Sequence, residues 1–340
     1  MTRQAVIKKE KTDNDSFILS RIRIVRNIAD YPFTDNLNED NKNHLENNLL
    51  KYISSLKEKT EIFDTSYISK SQVQNFIENS FENNEFFEKK NGKLVIFEKS
   101  RTALLLNANE HLKFVNLRND LNLNDQYKEV NKLESKIGNN FMYAASSRYG
   151  YLTQELKNCG LGLKISVLVH LPGIFLQDSY KDTFEDLLKK GYLVEKWLND
   201  KEDGFYYVIS SKLNFGVNEG NLIERFSSGL KSLLTMEKEI LMNYYNNNKI
   251  ELDDIIFRSY GLMKYAVKMD QNEALSNISN ILTGLELGLK LDIDMKNINS
   301  LVKNVLNGNI ALIAEKTGTD ELIARADLIK KFFGSGVEDV

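Results

Sequence analysis

A disulfide framework is closed to this chain, because its 340 residues include one cysteine, Cys159; that scarcity fits a reducing cytoplasm. Long apolar runs are also missing. Nothing approaches the roughly 20 residues needed to span a bilayer, and Met1 to Glu10 carry no apolar stretch of signal-peptide length. Excess charge of one sign is absent too: 45 basic and 48 acidic side chains leave a net charge of −3, which argues against non-specific binding to nucleic acid. There are two prolines, Pro32 and Pro172, and one tryptophan, Trp197. With Asn and Lys abundant, the shortage of proline reads as genome composition rather than function. What is present is ordinary globular material, 42% hydrophobic and 27% charged. At this length two domains are expected.

The most informative segment is Ser20-Arg21-Ile22-Arg23-Ile24-Val25-Arg26-Asn27. Alternation along a strand sends Arg21 and Arg23 to one face, about 7 Å apart. Arginine is rarely buried without a partner, so two on one face call for an anion. A polyphosphate suits them, since planar guanidinium forks take its oxygens in pairs. The competing reading is a solvated edge strand with ion pairs.

Elsewhere, Asn43 to Leu56 carries an amphipathic helical stripe, and Ser69 to Lys90 reads as helical. Lys93 to Phe97 and Ala103 to Asn107 read as paired strands joined by a turn at Glu98–Arg101. Ile165 to His170 and Phe205 to Leu213 are further strands. A long helix covers Leu222 to Leu241, and the pattern beyond Asn246 is helical, with breaks near Gly261, Met269 to Asn272, Asp292 to Asp294 and Gly318. The fold class is α+β: an antiparallel sheet flanked by helices over 15–245, then an all-helical domain over 250–338. No internal repeat is evident.

Several segments together resemble the bacterial protein-arginine kinases, relatives of creatine and arginine kinase in the ATP:guanido phosphotransferase superfamily. Ser20 to Phe33 resembles that family's S-R-I-R-L-A-R-N…Y-P-F. Asn107 to Lys113 stands where the family has N-E-E-D-H-L-R. Gly150-Tyr151-Leu152-Thr153 matches the G-Y-L-T before its C-P-T-N-x-G-T-G-x-R loop, and Ser166 to Pro172 matches S-V-M-x-H-L-P. Arg258 to Leu262 and Ala324 to Ile329 echo motifs of the family's helical domain. The resemblance implies the guanido-kinase fold, ATP with Mg²⁺ as cofactor, and transfer of the γ-phosphoryl group to an arginine guanidinium, chemistry that rests on positioning and charge neutralisation. Carried over position by position, it makes Arg21, Arg23, Arg26, His111, Lys113 and Lys164 candidates for nucleotide contacts. His170 also matches a family histidine, although a satisfied core residue is the plainer reading for either histidine.

The catalytic positions depart from the pattern. Ala108, Asn109 and Glu110 replace the Glu-Glu-Asp run, so the expected base is Asn109, and an amide cannot accept the proton. Lys113 replaces an arginine and loses its bidentate fork. Glu155 stands at the reactive cysteine, with Leu156 and Lys157 in place of Pro-Thr, and Lys164 at another arginine. Cys159 reads as a small buried residue. Glu195 to Asp200 replaces R-G-x-Y-G-E, with Trp197 expected to pack on the sheet. Of the R-D-x-x-R-A phosphoarginine motif only Arg325 survives, as an ordinary exposed helical arginine. Glu110 with Glu155 could form a substitute carboxylate pair, so both are catalytic candidates. The leading expectation is a divergent homologue that binds without catalysing, with a working arginine kinase or a dimeric scaffold as alternatives. Family context implies protein partners: a AAA+ unfoldase and its protease, a zinc-binding activator protein, a second copy, or an active paralogue. Nucleic acid and membrane are not expected partners.

Overall fold

Alternation of isoleucine and arginine decides the centre of the molecule. In the computed structural model, which describes residues 16–79, 84–88, 92–177, 180–198, 204–212 and 215–333, strand β1 (Phe17–Arg26) lies fifth of eight in an antiparallel sheet. Ile22 and Ile24 are 0% and 1% exposed on one face, while Arg21 and Arg23 point to the other. An interior strand can do this only if both faces are covered or put to use, and the solvated-edge reading is therefore overturned.

The chain continues through α1 (Glu39–Ser55), β2 (Thr60–Asp64), α2 (Lys70–Glu78), α3 (Asn84–Glu88), β3 (Lys93–Phe97), β4 (Thr102–Leu106), β5 (Leu112–Arg118) and α4 (Leu123–Gly138). A small hairpin follows, β6 (Ala145–Ser146) and β7 (Gly150–Tyr151), then β8 (Leu163–His170), α5 (Pro172–Leu176), α6 (Tyr180–Lys189), β9 (Tyr192–Lys196) and β10 (Tyr206–Ser211). The rest is helical: α7 (Glu219–Asn247), α8 (Lys249–Tyr265), α9 (Gln271–Glu286), α10 (Met295–Asn304), α11 (Asn307–Thr317) and α12 (Glu321–Phe332). The sheet order is β2-β3-β4-β5-β1-β8-β10-β9.

Local chemistry sets the helix starts. Asn38, Ser69, Asn122, Asn218, Asp270, Asp294 and Asp320 each cap a helix by accepting a backbone N–H, worth about 1 kcal/mol apiece. The isoleucine face of β1 packs on α1, α4 and α7 through Leu45, Leu49, Val130, Ile137, Ile223 and Phe226. At the far end of the sheet, Leu19, Leu168, Trp197 and Tyr206 join Leu275, Ile278, Ile281 and Leu282 of α9 in a second core. The C-terminal helices also reach α2. Gly308 of α11 lies so close that an added Cβ would sit 2.3 Å from the Asn75 backbone nitrogen, and its N–H donates to the Glu78 carboxylate at 2.7 Å.

The expected strand Lys93–Phe97 is found with those bounds, and the turn after it places Arg101 in the left-handed region. The strand expected to Leu213 ends at Ser211; Leu213 lies outside the described residues, as do 80–83 and 89–90 of the segment read as helical. Gly261 does not break a helix. It sits inside α8, which runs on to Tyr265, because one glycine costs a helix only about 1 kcal/mol and tertiary packing on the opposite side outweighs that. Among the described residues no helix is long and apolar enough to cross a membrane.

Candidate functional site

Three neighbouring strands bring four cations to one face of the sheet. Arg23 of β1 stands opposite Lys164 of β8, Arg21 opposite Ser166, and Lys113 of β5 opposite Val25, which alternation puts on the same side as the two arginines. Arg21 and Lys164 line a cavity of about 320 Å³ with Ser166, Ser210, Glu195 and Trp197. The two serine hydroxyls hydrogen-bond at 2.9 Å. Burial, then repulsion from Arg23 and Arg21, holds the Lys164 ammonium below the usual lysine range, and Glu195 only partly offsets this. Like charges about 5 Å apart repel by roughly 3 kcal/mol at an effective dielectric of 20, so a polyanion entering here relieves repulsion as well as gaining contacts. The donor set fits the phosphates of a nucleotide.

Asn158 ties this face to the loop after β7. Its Oδ1 accepts from Arg23 Nη2 at 2.5 Å, and its Nδ2 donates to Glu155 Oε2 at 2.8 Å. Glu155 also meets Lys157 at 3.3 Å and accepts from Asn109 Nδ2 at 3.4 Å. Burial works to raise the Glu155 pKa, but Lys157, Asn109 and Arg23 outweigh it and hold the carboxyl below its ordinary range. Residue composition did not single out Asn158 as functional; its place in the N-x-G stretch was the available signal.

The loop from β4 to β5 turns at Asn107, whose φ is +57°, and buries Glu110 completely. Glu110 Oε2 accepts from Asn27 Nδ2 at 2.6 Å and from the Gln154 N–H at 2.9 Å, while Oε1 accepts from the Glu155 N–H at 3.3 Å. The expected pairing of the two carboxylates is thus corrected: Glu110 binds the backbone of Glu155, while the Glu155 carboxylate turns to Asn158, Lys157 and Asn109. Position 109, the expected base, holds an amide engaged with Glu155.

Two nucleotide candidates fall elsewhere. Arg26 lies three residues from Arg23, an odd step that sends it to the opposite face. There it is 3% exposed, donates from Nε to Glu134 at 2.6 Å and from Nη1 to the Val25 and Leu161 carbonyls, and stacks 3.4 Å over the Tyr151 ring. Gly162 is required beside it, since an added Cβ would lie 2.7 Å from Nη1 in a residue of φ +60°. His111 is fully buried. Its Nδ1 accepts the Ile28 N–H at 3.0 Å and its Nε2–H donates to the Pro32 carbonyl at 2.8 Å, which fixes a neutral tautomer, and burial holds its pKa down. Arg26 and His111 are therefore structural.

His170 is likewise buried, with Nδ1 at 3.0 Å from Glu286 and Nε2 at 2.8 Å from the Ser279 hydroxyl; it joins the sheet to α9. Trp197 packs edge-on to Tyr206 as expected and also walls the cavity. Cys159 is buried, its thiol donating to the Tyr151 carbonyl. Asn199 and Asp200 lie outside the described residues. The reading of Arg325 as exposed is corrected: it is 1% exposed and donates to the Val305 and Met269 carbonyls and to Asn307 Oδ1. Its guanidinium is a bracket for three segments of the helical region.

Comparison with known proteins decides the family. Residues 40–240 match the family model described as the ATP:guanido phosphotransferase C-terminal catalytic domain. The chain belongs to this family. Residues 249–338 match the model of the protein-arginine kinase McsB C-terminal domain. Among its relatives are protein-arginine kinases from Clostridium acetobutylicum, 28% identical with 96% of each chain covered, and from Clostridium perfringens, 30% identical over 85% of this chain and 87% of the relative. The fold is shared with the duplicated taurocyamine kinase of Schistosoma mansoni, solved with bound transition state analog components (TM-score 0.61, 19% identity, 69% of this chain). This chain spans about a third of that protein, 34% of its length. Lombricine kinase is a further structural neighbour (TM-score 0.58, 18% identity, 65% of this chain and 66% of that one).

Proposed function

We propose that this arginine-kinase homologue binds ATP through the Arg21, Arg23, Lys113 and Lys164 face and transfers its phosphoryl group to arginine poorly or not at all. The carrying observation is the fate of the carboxylates. Orienting a guanidinium and accepting its proton requires an oriented base. Here Asn109 occupies the base position, and Glu110 is spent on Asn27 and two backbone N–H groups. Such losses commonly cost about a hundredfold each in rate. The phosphate side is better kept, with two guanidinium groups and two ammonium groups in place. Mg²⁺ would enter with the nucleotide and neutralise phosphate charge, while Arg21, Arg23, Lys113 and Lys164 would supply the chain's own counter-charge to the phosphates.

A second reading is supported by Glu155. Its carboxylate is held ionised and joined through Asn158 to Arg23, so a guanidinium entering beside a clamped phosphate would meet a base at that position. One preparation distinguishes the two. Calorimetric titration with MgATP should give a binding isotherm, while incubation of an arginine-rich protein with γ-labelled ATP should leave no acid-labile phosphate on arginine. Transfer that is robust in the wild type and lost in Glu155→Gln would replace the first reading with the second.

A further inference from the structure

Four buried polar side chains meet where β8, α5, α7 and α9 converge, and the phosphate cavity uses none of them. Alternation along β8 puts His170 on the face that carries Lys164 and Ser166, at the end covered by α9. His170, Glu237 and Ser279 are 0% exposed and Glu286 is 7% exposed. Ser279 Oγ lies 2.8 Å from His170 Nε2 and accepts the Phe205 N–H at 3.1 Å, while Glu286 Oε1 is 3.0 Å from His170 Nδ1. Glu286 Oε2 is buried with no hydrogen-bond partner among the described residues. Glu237 of α7 feels the Glu286 charge and accepts the Gly173 and Ile174 N–H groups of α5. The fit leaves no slack on either side. A Cβ on Gly173 would lie 2.6 Å from the Leu241 nitrogen, and one on Gly204 would lie 2.5 Å from the Ser279 Cβ.

We propose that His170, Glu237, Glu286 and Ser279 form a proton-loaded latch that holds α9 on the sheet, and that α9 opens against it as a unit ahead of global unfolding. Two carboxyl groups in so dry a cluster cannot both be charged cheaply, since burial penalises each ion and the second repels the first. The titratable groups around Glu237 are Glu286 from α9 and, against Glu286, His170 from β8; α5 contributes backbone N–H groups. Burial, then the Glu286 charge, pushes the Glu237 carboxyl up to about 8. Once α9 lifts and water enters, that carboxyl returns toward 4.5, so between these values the open state has lost a proton that the closed state keeps. The opening constant should therefore rise about tenfold per pH unit within the window and level off above it. The rest of the hold on α9 is apolar, Leu275, Ile278 and Leu282 packing with Leu168 and Trp197. Leu168 and Trp197 also line the phosphate cavity, so the helix that opens is the one that backs its wall. The latch thereby regulates that site, a step that rests on the phosphate-binding reading above.

Hydrogen exchange on the full chain, read by mass spectrometry from about pH 6 to 9 and corrected for the intrinsic rate, gives the opening constants element by element. Peptides of α9 should open more readily than those of β4 and β5, with the tenfold slope up to about pH 8 and none above it. Glu237→Gln, which keeps a neutral group in place, should give α9 a pH-independent opening constant. Glu286→Gln is a second handle: without the repelling charge, the slope should level off at a lower pH. MgATP at ten times its dissociation constant should lower the wild-type α9 opening constant about elevenfold. The latch is overturned by α9 exchange that is flat with pH in the wild type, that keeps its slope in Glu237→Gln, or that levels off unmoved in Glu286→Gln. Equal opening constants in α9 and β5 also overturn it, since Glu237 would then act on global stability alone. MgATP that binds by calorimetry without slowing α9 overturns the coupling to the cavity. A chain that shows the α9 slope but binds no MgATP keeps the latch and refutes the phosphate reading instead.

Discussion

Arg21 and Arg26, on the same strand, should respond to mutation in opposite ways. Arg26 is buried against Glu134, with side chains 4% and 5% exposed at 2.6 Å, and its Nη1 donates to two carbonyls. Substituting Glu134 by Gln leaves a guanidinium in a low-dielectric interior without its counter-charge, which typically costs about 3–5 kcal/mol. For a cooperative unit of this size each kcal/mol lowers the thermal midpoint by about 2–4 °C, so a loss on the order of 10 °C is expected. Arg26→Met should do the same from the other side, by orphaning Glu134. Arg26→Lys should fall between, since it keeps the charge but loses the fork and the stack on Tyr151. Arg21→Ala should leave the midpoint within about 2 °C, the usual range for a residue outside the packed core. Differential scanning fluorimetry on the four variants is sufficient. If Glu134→Gln melts with the wild type, or if Arg21→Ala falls as far as Arg26→Met, the division of the strand by alternation is refuted.

Two further consequences follow from the titrating groups. Burial and the nearby Glu286 charge push the Glu237 carboxyl up to about 8, against the Gly173 and Ile174 N–H groups that donate to it. Between the ordinary value of 4.5 and about 8 the unfolded chain has lost this proton while the folded one keeps it, so stability should fall as pH rises through that window and level off above it. Urea midpoints at several pH values should show a flatter profile for Glu237→Gln; parallel profiles would contradict this. Lys164 is held below the lysine range by burial and by Arg23 and Arg21, and a bound polyanion reverses that. MgATP binding at alkaline pH should therefore take up protons and weaken as pH rises, visible as a heat that depends on the buffer's ionisation enthalpy and disappears in Lys164→Met. A buffer-independent heat would contradict it.

The sheet was legible where alternation is strong. Lys93–Phe97 and the shared face of Arg21 and Arg23 both follow from a period of two, and the same rule assigns Arg26 to the other face once its odd spacing is counted. Family matching by position placed Arg26 among the nucleotide-contact candidates because a motif records order and not side-chain direction. His111 and Arg325 were less accessible, since their partners are backbone carbonyls and amides tens of residues away, which no local pattern reveals. Glu110 shows the same limit: a carboxylate in a motif reads as chemistry until its oxygens are found on Asn27 and the 154–155 backbone. Gly261 misled for the opposite reason, a weak local preference overruled by the packing of Leu252, Ile256 and Met263.

The central claim is that the Arg21–Arg23–Lys164 face holds the phosphates of a nucleotide, and calorimetric titration of the folded protein with MgATP tests it most directly. The wild type should bind, and Arg21→Ala and Arg23→Ala should each weaken binding by roughly tenfold to a hundredfold, the loss of one charge-assisted pair of hydrogen bonds, with thermal midpoints unchanged. No binding by the wild type, or binding indifferent to both substitutions, would contradict it.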